Sequence, residues 1–140
     1  METKTNDKQM IDFFTSDPFA NHLNIMLEHC EAGYAKVKMP ITKDLLNFNG
    51  AANGGAIFSL ADYAFAVASN SHGRTAVGLN VNMSYLAPGK KGEEIICIAK
   101  ETKLTPKIAT YEMKVYNASD DLIATMEGMV YRKKENFMEK

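Results

Sequence analysis

Residues 47–71, NFNGAANGGAIFSLADYAFAVASNS, decide the fold. The stretch opens with asparagines at 47, 49 and 53 and glycines at 50, 54 and 55. From Gly55 to Ala68 it then becomes one long apolar run whose single charge is Asp62. A helix apolar on all faces is an interior helix, and this one is too short and too interrupted to span a bilayer. It is expected from about Gly54 to Asn70, with Gly73 as a natural C-terminal stop. A carboxylate on such a helix costs free energy unless it is paired, hydrogen-bonded or neutralised. Asp62 is therefore the first residue that a functional reading must explain.

Outward from the helix, residues 33–41 alternate, with Ala35, Val37 and Met39 on one face and Tyr34, Lys36 and Lys38 on the other, as in a half-buried antiparallel strand. Residues 42–53 have no period and form a loop. Upstream, residues 1–8 are polar and read as loose, and residues 9–16 suggest a short amphipathic helix. Asp17-Pro18 opens a turn or a second short helix, and Phe19, Leu23, Ile25 and Leu27 follow no clean period. Downstream, four strands are expected at 75–86, 93–104, 107–117 and 122–132, separated by turns at 87–92, Thr105-Pro106 and 118–121. In the first of them Val77, Leu79, Val81, Met83 and Tyr85 are assigned to one face and Asn80, Asn82 and Ser84 to the other. The organisation expected is an N-terminal extension with short helices (1–32), one α+β domain (33–132) and a frayed polar tail (133–140). One strand, one long helix and four antiparallel strands suit a twisted sheet curled round the helix. Its open edges call for an oligomer.

The formal net charge of -1 over 140 residues, without a block of like charge, gives no support to a nucleic-acid binder. Cys30 and Cys97 are isolated and lack metal-ligand spacing, as befits buried thiols in a reducing compartment. The first ten residues, METKTNDKQM, lack the apolar core of a signal peptide. A cytoplasmic protein, with no membrane and no nucleic-acid partner, is expected.

Two features of the central stretch carry chemistry. Asn53-Gly54-Gly55 offers backbone N–H groups at the positive end of the helix dipole, where an anion or a developing oxyanion can be held; Asn53 can equally serve only as a cap. Asp62 is either a structural carboxylate or a catalytic one. Gly54 and Asp62 are eight residues apart, so their Cα atoms lie roughly 12 Å apart along the axis. An Asp side chain does not close that gap, so the two groups, if both catalytic, belong to different sites. A two-fold dimer with antiparallel helices would set Gly54 of one chain against Asp62 of the other.

The pattern Leu46-Asn47-x-x-Gly50-x-x-Asn53-Gly54-Gly55-x-x-Phe58-x-Leu60-Ala61-Asp62, continued by Asn82-x-x-Tyr85-Leu86-x-Pro88 and by Gly128-x-x-Tyr131-Arg132, resembles the hotdog-fold acyl-CoA thioesterases, in particular their PaaI-like (phenylacetic acid degradation) branch. The resemblance spans about residues 33–132. It implies a sheet wrapped round one helix, a homodimer or dimer of dimers, and hydrolysis of an acyl-CoA between two chains with no cofactor and no metal, coenzyme A being part of the substrate. It further implies that Asp62 is the general base or nucleophile. Gly54 would donate its N–H to the thioester oxygen, and Asn47 would hold water or substrate. Gly55, Ser71, Lys90 and Lys107 follow as substrate-binding candidates, the lysines for phosphate. The family usually has His before the Gly-Gly pair; here Asn53 stands, which donates through its NH2 and caps the helix but shuttles no proton. Asn49 also stands where the branch often has His. Two other readings stay open: an acyl-thioester hydratase or dehydratase, which would need a His in the site, and a non-catalytic acyl-CoA binder. Phe58, Tyr63, Phe65 and Met83 are candidates for either an acyl pocket or the core.

Overall fold

The computed structural model describes residues 4–138; the first three residues and the last two of the expected tail lie outside it. Helices α1 (Lys4–Thr15) and α2 (Pro18–His22) lead into strands β1 (Met26–Glu31) and β2 (Tyr34–Pro40), the central helix α3 (Gly54–Asn70), and strands β3 (Arg74–Tyr85), β4 (Glu94–Leu104), β5 (Ile108–Tyr116) and β6 (Leu122–Asn136). The strands form one antiparallel sheet in the order β1-β2-β4-β5-β6-β3. It curls round α3, which packs on β2, β4, β3 and β5. This is the hotdog arrangement implied by the resemblance.

The helix forms where the residues require it. Asn53 holds an extended backbone and its side-chain oxygen accepts from the Gly55 N–H at 2.7 Å, an N-cap. At the other end Gly73 takes φ +94°, a conformation that glycine adopts freely. Leu60, Ala61, Ala64, Phe65, Val67 and Ala68 are buried against Val37, Met39, Ile95, Cys97, Met113 and Val115 from the strands. Tyr63 and Phe65, candidates for an acyl pocket, are core residues. The Tyr63 hydroxyl donates to the Phe14 carbonyl at 2.7 Å, fastening the end of α1 to α3, and burial pushes its pKa up to about 12.

Phe65 also explains a glycine in the closing motif. A Cβ on Gly128 would stand 2.7 Å from the Phe65 ring, which is itself buried and meets Tyr111 edge-on at 5.9 Å. Gly128→Ala is expected to destabilise the protein by about 1–3 kcal/mol, because the buried ring must shift to admit the methyl group. A denaturant midpoint equal to that of wild type would show that the ring shifts without cost.

Three expectations change. The sheet has six strands, not five: β1, where no period was visible, is an edge strand with a bulge between Leu27 and His29, so its side chains never settle into alternation. It makes a hairpin with β2 through Gly33 at φ +75°. Second, β3 does not keep one apolar face. A bulge between Gly78 and Asn80 shifts the register, so Val77 pairs with Tyr131 while Val81 and Met83 pair with Gly128 and Met126. Directly paired residues share a face and Tyr131 and Gly128 lie on opposite ones, so Val77 leaves the face of Val81. Third, the tail is not frayed through its described length. β6 continues to Asn136, and Phe137, 9% exposed, stacks on Phe13 at 4.8 Å.

The two sheet edges differ. β1 is short, bulged and carries Glu28 and Glu31, features that discourage pairing. β3 is 12 residues long and leaves Val77, Leu79, Val81 and Tyr85 exposed. Among the described residues, no helix is long and apolar enough to cross a membrane.

Candidate active site

Contrary to the reading of an all-round apolar helix, α3 is not wrapped on every side. Gly55, Ser59, Asp62, Ala66 and Asn70 follow one another at helical spacing along a stripe that the sheet leaves open; Gly55, Asp62 and Ala66 are exposed. The small residues bring any neighbour close to the helix backbone, and Asp62 stands at the middle of the stripe.

The helix start accounts for most of its own donors. The Gly55 N–H goes to the Asn53 side chain, and those of Ala56 and Ile57 go to the Asn53 carbonyl at 2.9 and 3.2 Å. The Gly54 N–H finds no acceptor among the described residues. Since the Asn53 side-chain oxygen is the cap acceptor, its NH2 group is the end turned outward. Tyr85, which the sequence placed only in a strand, lies across this end. Its hydroxyl donates to the Gly54 carbonyl at 2.9 Å, and its ring passes 3.4 Å from where a Gly54 Cβ would be. Its place in the Asn82-x-x-Tyr85 pattern was the available signal.

The loop before the helix is held tightly. The Asn47 side-chain oxygen accepts from the N–H groups of Asn49 and Ala51 at 2.9 and 3.2 Å, and the Asn47 N–H donates to Ala51 at 2.7 Å. Asn47 is thus built into its own turn, with its NH2 left over. Ala51 bridges to Lys90, and the Ala52 N–H donates to the Gly89 carbonyl at 2.9 Å, so the 87–92 turn is docked on this loop. The structure therefore gathers Asn47, Asn53, Gly54, Gly55 and Lys90 at one end of α3.

Ser71 and Lys107 lie at the other end. Ser71 is buried, donates to the Ala68 carbonyl and accepts from the Gly33 N–H at 2.8 Å, so its hydroxyl is engaged within the chain. The Lys107 carbonyl accepts from the Arg132 N–H at 2.7 Å in the turn after β4. The 11 residues of β4 separate the turns of Lys90 and Lys107 by roughly 35 Å. His72, just beyond α3, bonds Glu101 at 2.6 Å at that far end, and the Tyr111 hydroxyl donates to the same carboxylate oxygen at 2.8 Å. His22 is exposed on α2, and His29 bonds Glu31 at 2.8 Å on β1.

Asp62 itself accepts no hydrogen bond from a described residue. Its carboxyl stands above the usual carboxylate range, first because apolar neighbours deprive it of hydration and second because Asp17 repels it. Asp17 is there for a structural reason: its carboxylate caps α2, accepting from the Ala20 N–H at 3.0 Å. A hollow of about 460 Å³ lies on the sheet beside Asn80, Asn82, Glu112 and Glu127, but neither Asp62 nor the helix start contributes to it.

Three features thus meet along α3: an unfilled N–H at the positive helix end, a carboxylate whose pKa is raised and small residues that admit a ligand. Nothing among the described residues groups three or more potential metal ligands. The thioesterase-superfamily model matches residues 49–124. A candidate esterase of Archaeoglobus fulgidus is 43% identical over 124 residues, covering 89% of this chain and 80% of that protein. The acyl-coenzyme A thioesterase PaaI of Escherichia coli is 31% identical over 119 residues, 85% of each chain; the solved structure of the E. coli PaaI protein superposes with a TM-score of 0.87, at 30% identity over 89% of this chain and 91% of that one. A Streptococcus mutans protein solved with acetyl-CoA bound is 25% identical, with a TM-score of 0.78 over 81% of this chain and 91% of that one.

Proposed function

Because the chain belongs to the thioesterase superfamily and takes the hotdog fold of PaaI, we propose that it hydrolyses acyl-CoA thioesters at a site shared between two copies of the chain. The observation that carries this reading is the free Gly54 N–H on the same helix as Asp62, at a separation that one chain cannot close. The long apolar β3 edge supports the shared site. Two β3 edges paired about a two-fold axis lay their α3 helices side by side and antiparallel, with the open stripes facing.

In this geometry the thioester oxygen points at the Gly54 N–H, with the Asn53 NH2 beside it. The partner's Asp62 takes a proton from water as the water oxygen attacks the carbonyl carbon, or attacks that carbon itself to give an anhydride that water then opens. The helix end holds the negative charge that collects on oxygen, a donor worth roughly 3 kcal/mol in such sites. Collapse breaks the C–S bond, and coenzyme A leaves as a thiolate, which needs little acid help. Asn47 holds water or substrate through its spare NH2. Lys90, whose turn is docked beside the helix start, takes a phosphate of coenzyme A in this reading, and Lys107 reaches the same ligand only from the other chain.

The direct test is thiol release from a panel of aryl and straight-chain acyl-CoAs by wild type. Ligand-induced stabilisation without any turnover would instead mark a binder. The same assay reads the role of Asp17. Asp17→Asn keeps a good α2 cap while removing the charge that faces Asp62. The acid limb of kcat/KM is expected to move to lower pH, with the pH-independent rate retained. An unmoved limb would assign the raised Asp62 pKa to desolvation alone.

A further inference from the structure

Gly54 and Gly55 lack a Cβ, so the backbone that opens α3 is pliable where a catalytic donor is needed. An N–H that meets a developing charge must hold its direction, since a misplacement of about 1 Å can cost 10²-fold in rate. The chain pins this turn from two sides. From within the helix start, the Asn53 side-chain oxygen takes the Gly55 N–H at 2.7 Å and the Asn53 carbonyl takes the Ala56 N–H at 2.9 Å. From the sheet, the Tyr85 hydroxyl donates to the Gly54 carbonyl at 2.9 Å. The three atoms nearest to where a Gly54 Cβ would stand all belong to Tyr85. Tyr85 is itself firmly mounted. It ends β3, where it pairs with Ala124 of β6. The next two N–H groups, of Leu86 and Ala87, both donate to the carbonyl of buried Ile123, at 2.8 and 3.1 Å.

The fold does not need this bond. Tyr85 is 52% exposed, and a carbonyl so near the surface can take water instead. A phenylalanine ring would cover the glycine equally well. What the hydroxyl adds is direction, because it ties Gly54 to the fixed end of a strand. Its proton goes to the Gly54 carbonyl, so in this arrangement it does not donate to the substrate. We propose that Tyr85 is a positioning residue for hydrolysis: its hydroxyl, bonded to the Gly54 carbonyl, fixes the first turn of α3 so that the Gly54 N–H is aimed at the thioester oxygen. The proposal rests on the thioesterase reading above. In that reading β3 also carries the edge that meets the partner, so one strand both joins the two chains and aligns the donor.

The test measures kcat and KM for thiol release by wild type, Tyr85→Phe, Gly54→Pro and the double variant, with the acyl-CoA of the panel that wild type turns over fastest. Tyr85→Phe is expected to lower kcat by about two- to tenfold, the factor to which one net hydrogen bond converts, with KM within about twofold. Gly54→Pro has no N–H left to aim, so adding Tyr85→Phe to it is expected to change kcat by less than about 1.5-fold. Wild-type kcat in Tyr85→Phe would overturn the positioning role alone, and a lower melting temperature beside it would make the bond a prop of the fold. The same loss in both backgrounds would also overturn it, since Tyr85 would then act on something other than the Gly54 N–H. So would a raised KM with kcat unchanged, which would place Tyr85 in substrate binding. No turnover of any acyl-CoA by wild type would overturn the thioesterase reading and the positioning role with it.

Discussion

Asp62→Asn is expected to lower kcat for acyl-CoA hydrolysis by about 10²–10⁴-fold, the range that a positioned base or nucleophile contributes. The substitution keeps the size of the side chain, and Asp62 makes no hydrogen bond within the chain that the amide would break. The fold therefore has no reason to change, and a loss of rate reports the carboxylate itself. Full activity in Asp62→Asn would remove Asp62 from the mechanism, whether as base or as nucleophile.

The same variant makes a second, opposite prediction for stability. Apolar neighbours that partly desolvate the carboxyl, although its residue is exposed along the stripe, and then the charge of Asp17 raise the pKa of Asp62 in the folded protein above its unfolded value. The folded state thus prefers the protonated acid. Below the ordinary carboxylate range of about pH 4 the group is protonated folded or unfolded, and stability is at its full value. As pH rises through the folded pKa, ionisation is forced in an unfavourable place and that stability is lost. Asn does not titrate. Asp62→Asn should therefore melt above wild type at neutral pH, with the difference closing as pH falls toward the acid range. A residue kept at a cost to the fold is one retained for chemistry, so a variant less stable than wild type at neutral pH would favour a structural carboxylate.

How much of this was legible in the sequence varies with the kind of information needed. The limits of α3 were readable because they depend on local chemistry: Asn53 caps one end and Gly73 follows the other. The faces of β5 were readable because nothing interrupts the alternation that buries Ala109, Tyr111, Met113 and Val115. Bulges erased the same signal in β1 and reversed it at Val77 in β3, since one inserted residue exchanges the faces. The continuation of β6 was hidden by the polar run Lys133-Lys134-Glu135, because what holds it is the distant partner of Phe137, the ring of Phe13. The site divides in the same way. Asp62, Gly54 and Asn53 declare themselves by residue type in an apolar context. That Ser71 lies at the far end follows from its place just after α3, but that Lys90 joins the helix start whereas Lys107 does not depends on the β2-β4 pairing and is invisible in spacing. Phe19 in a five-residue helix and Leu23 just after it look unpatterned until α2 is seen over the start of α3.

Gly54→Pro is expected to cost about 10²–10³-fold in kcat and, mixed with Asp62→Asn, to regain activity that neither variant has alone. Proline removes one group, the N–H that would meet the thioester oxygen. Gly54 is the first residue of α3, where proline is well tolerated, and Asn53 already holds the extended conformation (φ -60°, ψ 134°) that a following proline demands. The Tyr85 ring lies at ordinary contact distance from a Cβ there. If each site takes Gly54 from one chain and Asp62 from the other, a mixed dimer holds one site with both defects and one with neither. Equal mixing, after unfolding and refolding together, makes half of the dimers mixed, so about a quarter of wild-type activity should return. If both groups came from the same chain, every chain in the mixture would still be defective and no activity would return. The outcome thus separates a shared site from a private one without first making a monomer. Helix geometry favours the first, because the roughly 12 Å from Gly54 to Asp62 along α3 is a distance that only a second helix, running the other way, removes.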